Sequence, residues 1–201
     1  MLIAATGMAD YRRNLPHWLP EGRTIFLTWR LFGSLPTSSL KVRAKAANLS
    51  AGERFRAVDT AMDRMVEGPF WLKDPAIASC VVKALRRGES ELNQYKLLAY
   101  VVMPNHVHVL LTPKMEVSKL MDGLKGFTAR AANKILNRTG KPFWQDETFD
   151  HWLRRNESFP RLISYIENNP VKAKLVARAE DWPWSSANDT ANREMESKQM
   201  G

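Results

Sequence analysis

Two apolar runs in the middle of the chain, Tyr95–Met103 and His106–Thr112, are separated only by Pro104 and Asn105. Such runs with so short a break predict two adjacent antiparallel strands joined by a tight turn. Side chains on a strand alternate between faces, so residues two apart share one. His106, His108 and Leu110 therefore point one way, and Val107, Val109 and Leu111 the other. The valine face is ordinary core. The histidine face is not, because two adjacent imidazoles make a poor hydrophobic surface and a good two-nitrogen clamp for a divalent metal. A bare His-x-His pattern also arises by chance.

The rest of the chain frames this hairpin. Residues 24–32, β-branched and aromatic, read as a first strand ended by the turn at Gly33–Pro36. A helix is expected over Ser50–Val66, with Ser50 and Glu53 as a capping box and Phe55, Val58, Met62 and Met65 on one face. A second helix starts at Pro75 and runs to about Arg87. Beyond the hairpin, Val117–Asn137 reads as a long helix with Leu120, Leu124, Phe127, Ala131 and Ile135 as its buried stripe. Phe143–Leu153 is a short strand or an ordered loop. A helix over Phe159–Asn169 follows, with Ser158 as N-cap and Pro170 as stop. Interleaved strands and helices around a hairpin predict an α+β sandwich with helices against an antiparallel sheet. One domain over residues 1–186 is expected, with residues 187–201 as a polar, disordered tail.

Composition narrows the function. The chain has 201 residues and a formal net charge of +9, which favours polyanionic partners. Between Lys114 and Arg178 there are 13 Lys and Arg against 7 Asp and Glu, so most of the surplus lies in the half carrying the histidines. No apolar run is long enough to cross a bilayer, and the N-terminus lacks a basic start followed by an apolar core. A cytoplasmic, nucleoid-associated location is expected. Cys80 is the only cysteine, which excludes an internal disulfide and a cysteine-based zinc site; its neighbours Ile77, Val81 and Val82 suggest a small buried hydrophobe.

Downstream, Tyr165 and Asn169 are four residues apart and would share one face of a helix, with Leu162 setting that helix against the sheet. An asparagine amide oxygen can be a third, harder ligand beside two imidazoles, and a tyrosine one turn away can reach a metal-bound phosphate. The same two residues also fit a half-buried anchor and a helix-terminal residue before proline. His151 reads as structural, and His17 has no evident partner. Asp146, Glu147 and Asp150 suit turn caps or partners for Arg154 and Arg155 better than a second metal site. Trp144, Trp152, Trp182 and Trp184 can stack on unpaired bases, though most are expected inside. Lys125, Arg130, Lys134, Arg154, Arg155 and Lys172 are candidate phosphate contacts.

The blocks YVVMPNHVHVLL (100–111), FWQDETFDHWLRR (143–155), LISYIENNPVKAKLV (162–176) and WPWSS (182–186), in this order, closely resemble the REP-associated tyrosine transposases. These are single-tyrosine HUH endonucleases. WRLFGSLP at 29–36 is similar to one branch of that group, so the resemblance spans roughly residues 24–186. It implies a ferredoxin-like core and cleavage of single-stranded DNA beside small palindromic hairpins. His106 and His108 match the metal-binding pair, Tyr165 the nucleophile, and Asn169 the polar residue completing the metal site. A homodimer is a further expectation, since many such enzymes act as dimers. Where this chain has Lys174 the family commonly has glycine.

The implied chemistry is coherent. A phenol has a reference pKa of about 10, so only about one in a thousand is ionised at neutral pH. A divalent ion, Mg²⁺ or Mn²⁺, can polarise the phosphate and lower the demand on the nucleophile. Attack by Tyr165 would give a 5′-phosphotyrosine and a free 3′-hydroxyl, so rejoining needs no ATP. Two other classes fit the same residues: a domesticated protein that binds hairpin nucleic acid without cutting it, and a metal phosphoesterase that uses water and forms no adduct.

Overall fold

The structure, a computed structural model, describes residues 23–34, 68–153 and 158–190. The helix expected over Ser50–Val66 lies outside the described residues, as do His17, Arg154 and Arg155. The described elements run β1 (Ile25–Leu31), α1 (Pro75–Ser90), β2 (Tyr95–Val102), β3 (His106–Pro113), α2 (Val117–Ile135), β4 (Trp144–Trp152), α3 (Phe159–Glu167) and a short α4 (Asn169–Lys172). The strands form one sheet in the order β2-β3-β1-β4, every neighbouring pair antiparallel. The α+β expectation is borne out, in the β-α-β-β-α-β order of a ferredoxin-like core. Among the described residues no helix is long and apolar enough to cross a membrane.

The alternation expected of the hairpin is what divides the core. Val107, Val109 and Leu111 join Ile25, Leu27 and Trp29 of β1 in the larger cluster, covered by α1 and α2. Leu110, Phe26 and Val101 lie in a second cluster with Ile166 of α3 and Trp182. The sheet is therefore buried on both faces, and the histidine face is the one under α3.

Helix α1 begins where proline is tolerated, with Asp74 accepting a hydrogen bond from the Ala76 N–H (2.8 Å). It buries Ile77, Ala78, Val81, Val82 and Leu85. Cys80 sits on the flank of that stripe and is half-buried rather than enclosed, and desolvation pushes its thiol pKa up. Gly88 allows the Tyr95 ring to cross the helix closely enough for its hydroxyl to donate to the Leu85 carbonyl (2.7 Å). A Cβ at Gly88 would collide with that hydroxyl oxygen.

Helix α2 is rotated from its expected orientation. Leu120 and Leu124 face inward, but so do Met121, Thr128 and Ala132, while Phe127 and Ile135 are each 43% exposed. Polar partners inside the core favour this turn. The buried Trp144 indole N–H donates to the Thr128 hydroxyl (2.9 Å), and Asn133 donates to the Lys141 carbonyl (2.7 Å). Apolar periodicity alone carries no information about such partners.

The C-terminal segment closes the outer edge of β2. Ser185 bridges to Val101, Val102 donates to the Trp184 carbonyl (2.9 Å), and the Trp182 indole donates to the Val102 carbonyl (3.0 Å). This leaves a protected edge in place of a free one. Residues 186–190 are helical. Tyr100 donates to Asp189 (2.5 Å), and Arg86 pairs with the same carboxylate.

Helix α3 stops at Glu167 because Pro170 has no N–H to continue the ladder. Its N-cap is Ser158, as expected, but without a side-chain cap bond. Helix α4 then ends in a Schellman motif, with Leu175 N–H on the Pro170 carbonyl and Lys174 N–H on the Val171 carbonyl (both 2.9 Å). The motif requires a left-handed residue, and Lys174 occupies it at φ 58°. That geometry would suit the glycine that the family resemblance implies at this position. Lys174→Gly should raise unfolding stability by about 0.5–1 kcal/mol, the left-handed strain less the greater freedom of unfolded glycine. The urea midpoint measures it, at unchanged m-value; a lower midpoint would mean that Lys174 makes contacts outweighing its strain.

Candidate active site on the histidine face

His106 and His108 come together because β3 is extended and pairs with β1 in one register. Arg30 lies opposite His106 and Thr28 opposite His108. Both imidazoles are fully buried. Their Nε2 atoms are 3.0 Å apart, with ring centroids at 4.6 Å. The outer nitrogens are held from behind. His106 Nδ1 is 2.7 Å from Asn105 Oδ1, and His108 Nδ1 is 2.7 Å from Thr28 Oγ1.

These partners restrict the tautomers. An amide oxygen only accepts, so His106 must donate from Nδ1, and its Nε2 carries a lone pair in the neutral ring. The Thr28 hydroxyl can donate or accept. With Nδ1 of His108 accepting, His108 Nε2–H donates across the 3.0 Å gap to His106. With Nδ1 donating, both neutral rings turn an Nε2 lone pair toward one point, an arrangement that suits a cation. The hydroxyl rotor accommodates either state.

Tyr165, half-buried on α3, has its ring 6.2 Å from the His108 ring and 6.4 Å from Phe26, which itself stacks on His108 at 5.5 Å. Leu162 packs in the same cluster, as expected of a residue that sets α3 on the sheet. Asn169 is fully buried just past the break at Asn168, so it begins α4 rather than continuing the helix of Tyr165. Its amide Oδ1 and Nδ2 are both buried without a hydrogen-bond partner. An orphaned buried amide costs about 1–3 kcal/mol and calls for a ligand. Two convergent imidazole nitrogens are a donor pair that fits a divalent cation, and an amide oxygen is a donor type that can accompany them. Among the described residues there is no group of three His, Cys, Asp or Glu that could hold a metal.

Sequence reasoning missed Phe26, Thr28, Arg30 and Asn105. The first three were accessible in principle, since alternation in the first strand puts them on one face. Which strand lies beside β3, and in what register, has no local signal.

Known proteins are similar to this chain in sequence and in fold. A family model described as “Transposase IS200 like” matches residues 76–169, a stretch containing His106, His108, Tyr165 and Asn169. The REP-associated tyrosine transposase of Escherichia coli (strain K12) is 29% identical over 110 residues, 53% of this chain and 59% of that protein. A putative REP-associated tyrosine transposase of Haemophilus influenzae is 26% identical over 107 residues, 46% of this chain and 58% of that protein. The chain thus spans about three fifths of the length of the curated relatives it matches. A solved REP-associated tyrosine transposase bound to a REP hairpin has a TM-score of 0.54 at 19% identity, covering 93% of this chain and 87% of that one, which establishes likeness of fold. The resemblance expected from the ordered sequence blocks is borne out.

The candidate phosphate contacts are dispersed. Lys172 Nζ lies 5.6 Å from the Tyr165 ring centroid. Arg130 and Lys134 are exposed on α2, the helix on the opposite face of the sheet. Of the tryptophans, Trp144 and Trp182 are buried and Trp184 is half-buried. Lys125 serves the fold, its ammonium donating to the Gln145 and Asp146 carbonyls of β4 (2.7 and 2.9 Å). Burial lowers its pKa, while Asp146 and Asp122 act the other way. Lys125→Met should lower unfolding stability by about 1–3 kcal/mol, because two acceptors lose their donor. Chemical denaturation measures this, and an unchanged midpoint would show that the staple carries no weight.

Proposed function

We propose that this protein is a metal-dependent, transposase-like single-stranded DNA endonuclease and strand transferase that acts at or near hairpin DNA, with Tyr165 as its nucleophile. The observation that carries this reading is the Tyr165 ring set 6.2 Å from His108, whose Nε2 converges with that of His106. The names of the curated relatives support the activity class. The hairpin bound by the protein of similar fold supports the partner.

His106, His108 and Asn169 would hold Mg²⁺ or Mn²⁺. When bound, the ion supplies Lewis-acid polarisation of a phosphate oxygen. The remaining steps belong to the chain. Tyr165 Oη loses its proton and forms a bond to phosphorus, while the bond from phosphorus to the 3′ oxygen breaks. The leaving oxygen takes up a proton to become a free 3′-hydroxyl, and the 5′-phosphate stays on Tyr165. A 3′-hydroxyl attacking that phosphotyrosine reverses the exchange and reseals or transfers the strand. Phe26, stacked on His108 and edge-on to Tyr165, keeps both rings in place and excludes water from that side.

Two experiments follow. Incubating labelled hairpin oligonucleotides with single-stranded flanks and Mn²⁺ should yield a protein–DNA adduct on denaturing gels, lost in Tyr165→Phe while DNA binding persists. A Phe variant that cuts as well as the parent would remove Tyr165 from its role. Binding without product or adduct across many flanks would make this a hairpin-binding protein. Second, Thr28→Val removes the hydroxyl behind His108 and should weaken Mn²⁺ binding by about 10–100-fold in calorimetry. Unchanged affinity would show that His108 needs no such support.

A further inference from the structure

The row of β1 side chains beside the histidines includes a cation, Arg30, that takes no part in the steps above. Thr28 and Arg30 are two apart on one strand and so share a face. Thr28 contacts His108 directly, which identifies that face as the histidine face. Residues directly opposite in an antiparallel pair also lie on one face, and Arg30 is opposite His106. Thr28, Asn105 and Phe26, which touch the imidazoles, are neutral side chains. Arg30, half-buried, brings a permanent positive charge next to them.

The neighbouring strand makes room for it. Between Trp29 and Leu31, β1 advances two residues while β4 advances four, from Thr148 to Trp144. The extra residues of β4 bulge beside Arg30, and the Lys125 ammonium pins the carbonyls of Gln145 and Asp146 within that bulge. Bulges next to active sites commonly re-aim a side chain.

We propose that Arg30 is the phosphate-binding residue of the site, its guanidinium taking a non-bridging oxygen of the phosphodiester that Tyr165 attacks. The assignment rests on the DNA-cleaving function proposed above. A guanidinium presents paired donors in a plane that matches phosphate geometry, and it stays charged throughout the reaction. Held in the sheet, it fixes the phosphate between the histidine pair and the tyrosine, where a small misplacement is costly.

The test separates this contact from cleavage. Full-length Tyr165→Phe protein without added metal is titrated with labelled oligothymidylate and with a hairpin bearing single-stranded flanks, over a range of salt. Adding Arg30→Gln should reduce the slope of log K against log salt by about 0.7, the value of one phosphate contact to a single strand, and Arg30→Lys should restore it. In the Tyr165 protein with Mn²⁺, Arg30→Gln should slow single-turnover adduct formation by about 100-fold at saturating DNA, with Arg30→Lys between. An unchanged salt slope overturns the proposal whether or not the protein cleaves, as does a parent protein that binds neither oligonucleotide. A changed slope with an unchanged cleavage rate overturns the assignment to the attacked phosphate. A changed slope in a parent that forms no adduct supports the contact and counts against the nucleophile.

Discussion

The site depends on the register in which β1 pairs with β3. With Thr28 opposite His108, a hydroxyl lies behind one imidazole, an arginine beside the other, and a phenyl ring under the first. A slip of one residue would move every side chain of β1 to the other face of the sheet. Leu27 and Trp29 would then meet the histidines, and Thr28 and Arg30 would be driven into the larger core. Burial on both faces makes that slip costly, because Ile25, Leu27 and Trp29 are enclosed under α1 and α2. The hydrophobic core on one side thus sets the geometry of the polar site on the other.

The same constraint explains how so many polar groups are tolerated inside. His106, His108, Asn105, Thr28 and Asn169 are all buried, and burying a polar group is costly unless it is paired. Four of them pair with one another through bonds of 2.7–3.0 Å. Asn169 keeps its unsatisfied amide, and the ion proposed between the histidines offers it a partner. Elements that carry the site depart from local ideality: Asn169 keeps an orphaned amide, β4 bulges beside Arg30, and helix α3 breaks before Pro170. Such departures are expected where function competes with stability.

How far this was legible in the sequence varied with the range of the signal. The hairpin, its alternating faces and the span of α1 follow from local pattern and agree with the structure, whereas the placing of Tyr165 by the histidines was implied by the family resemblance. The orientation of α2 did not, because Thr128 and Asn133 face inward to meet Trp144 and Lys141, partners beyond the reach of a periodicity count. The helix expected to join Tyr165 and Asn169 ends between them, since proline removes the donor it needs. Lys174 stood out only as a departure from a familiar glycine, and the Schellman geometry supplied the reason. That Thr28 and Arg30 share one face was legible, but their place beside the histidines was not, because strand order is a property of the whole sheet.

The covalent role of Tyr165 can be read directly. After reaction with a hairpin oligonucleotide and Mn²⁺, nuclease trimming and trypsin digestion, mass spectrometry locates the residue bearing nucleotide. The account predicts a nucleotide mass on the peptide spanning residues 162–172, at Tyr165, joined through its 5′-phosphate. Nucleotide on any other tyrosine, or cleavage that leaves free ends and an unmodified peptide, would contradict it.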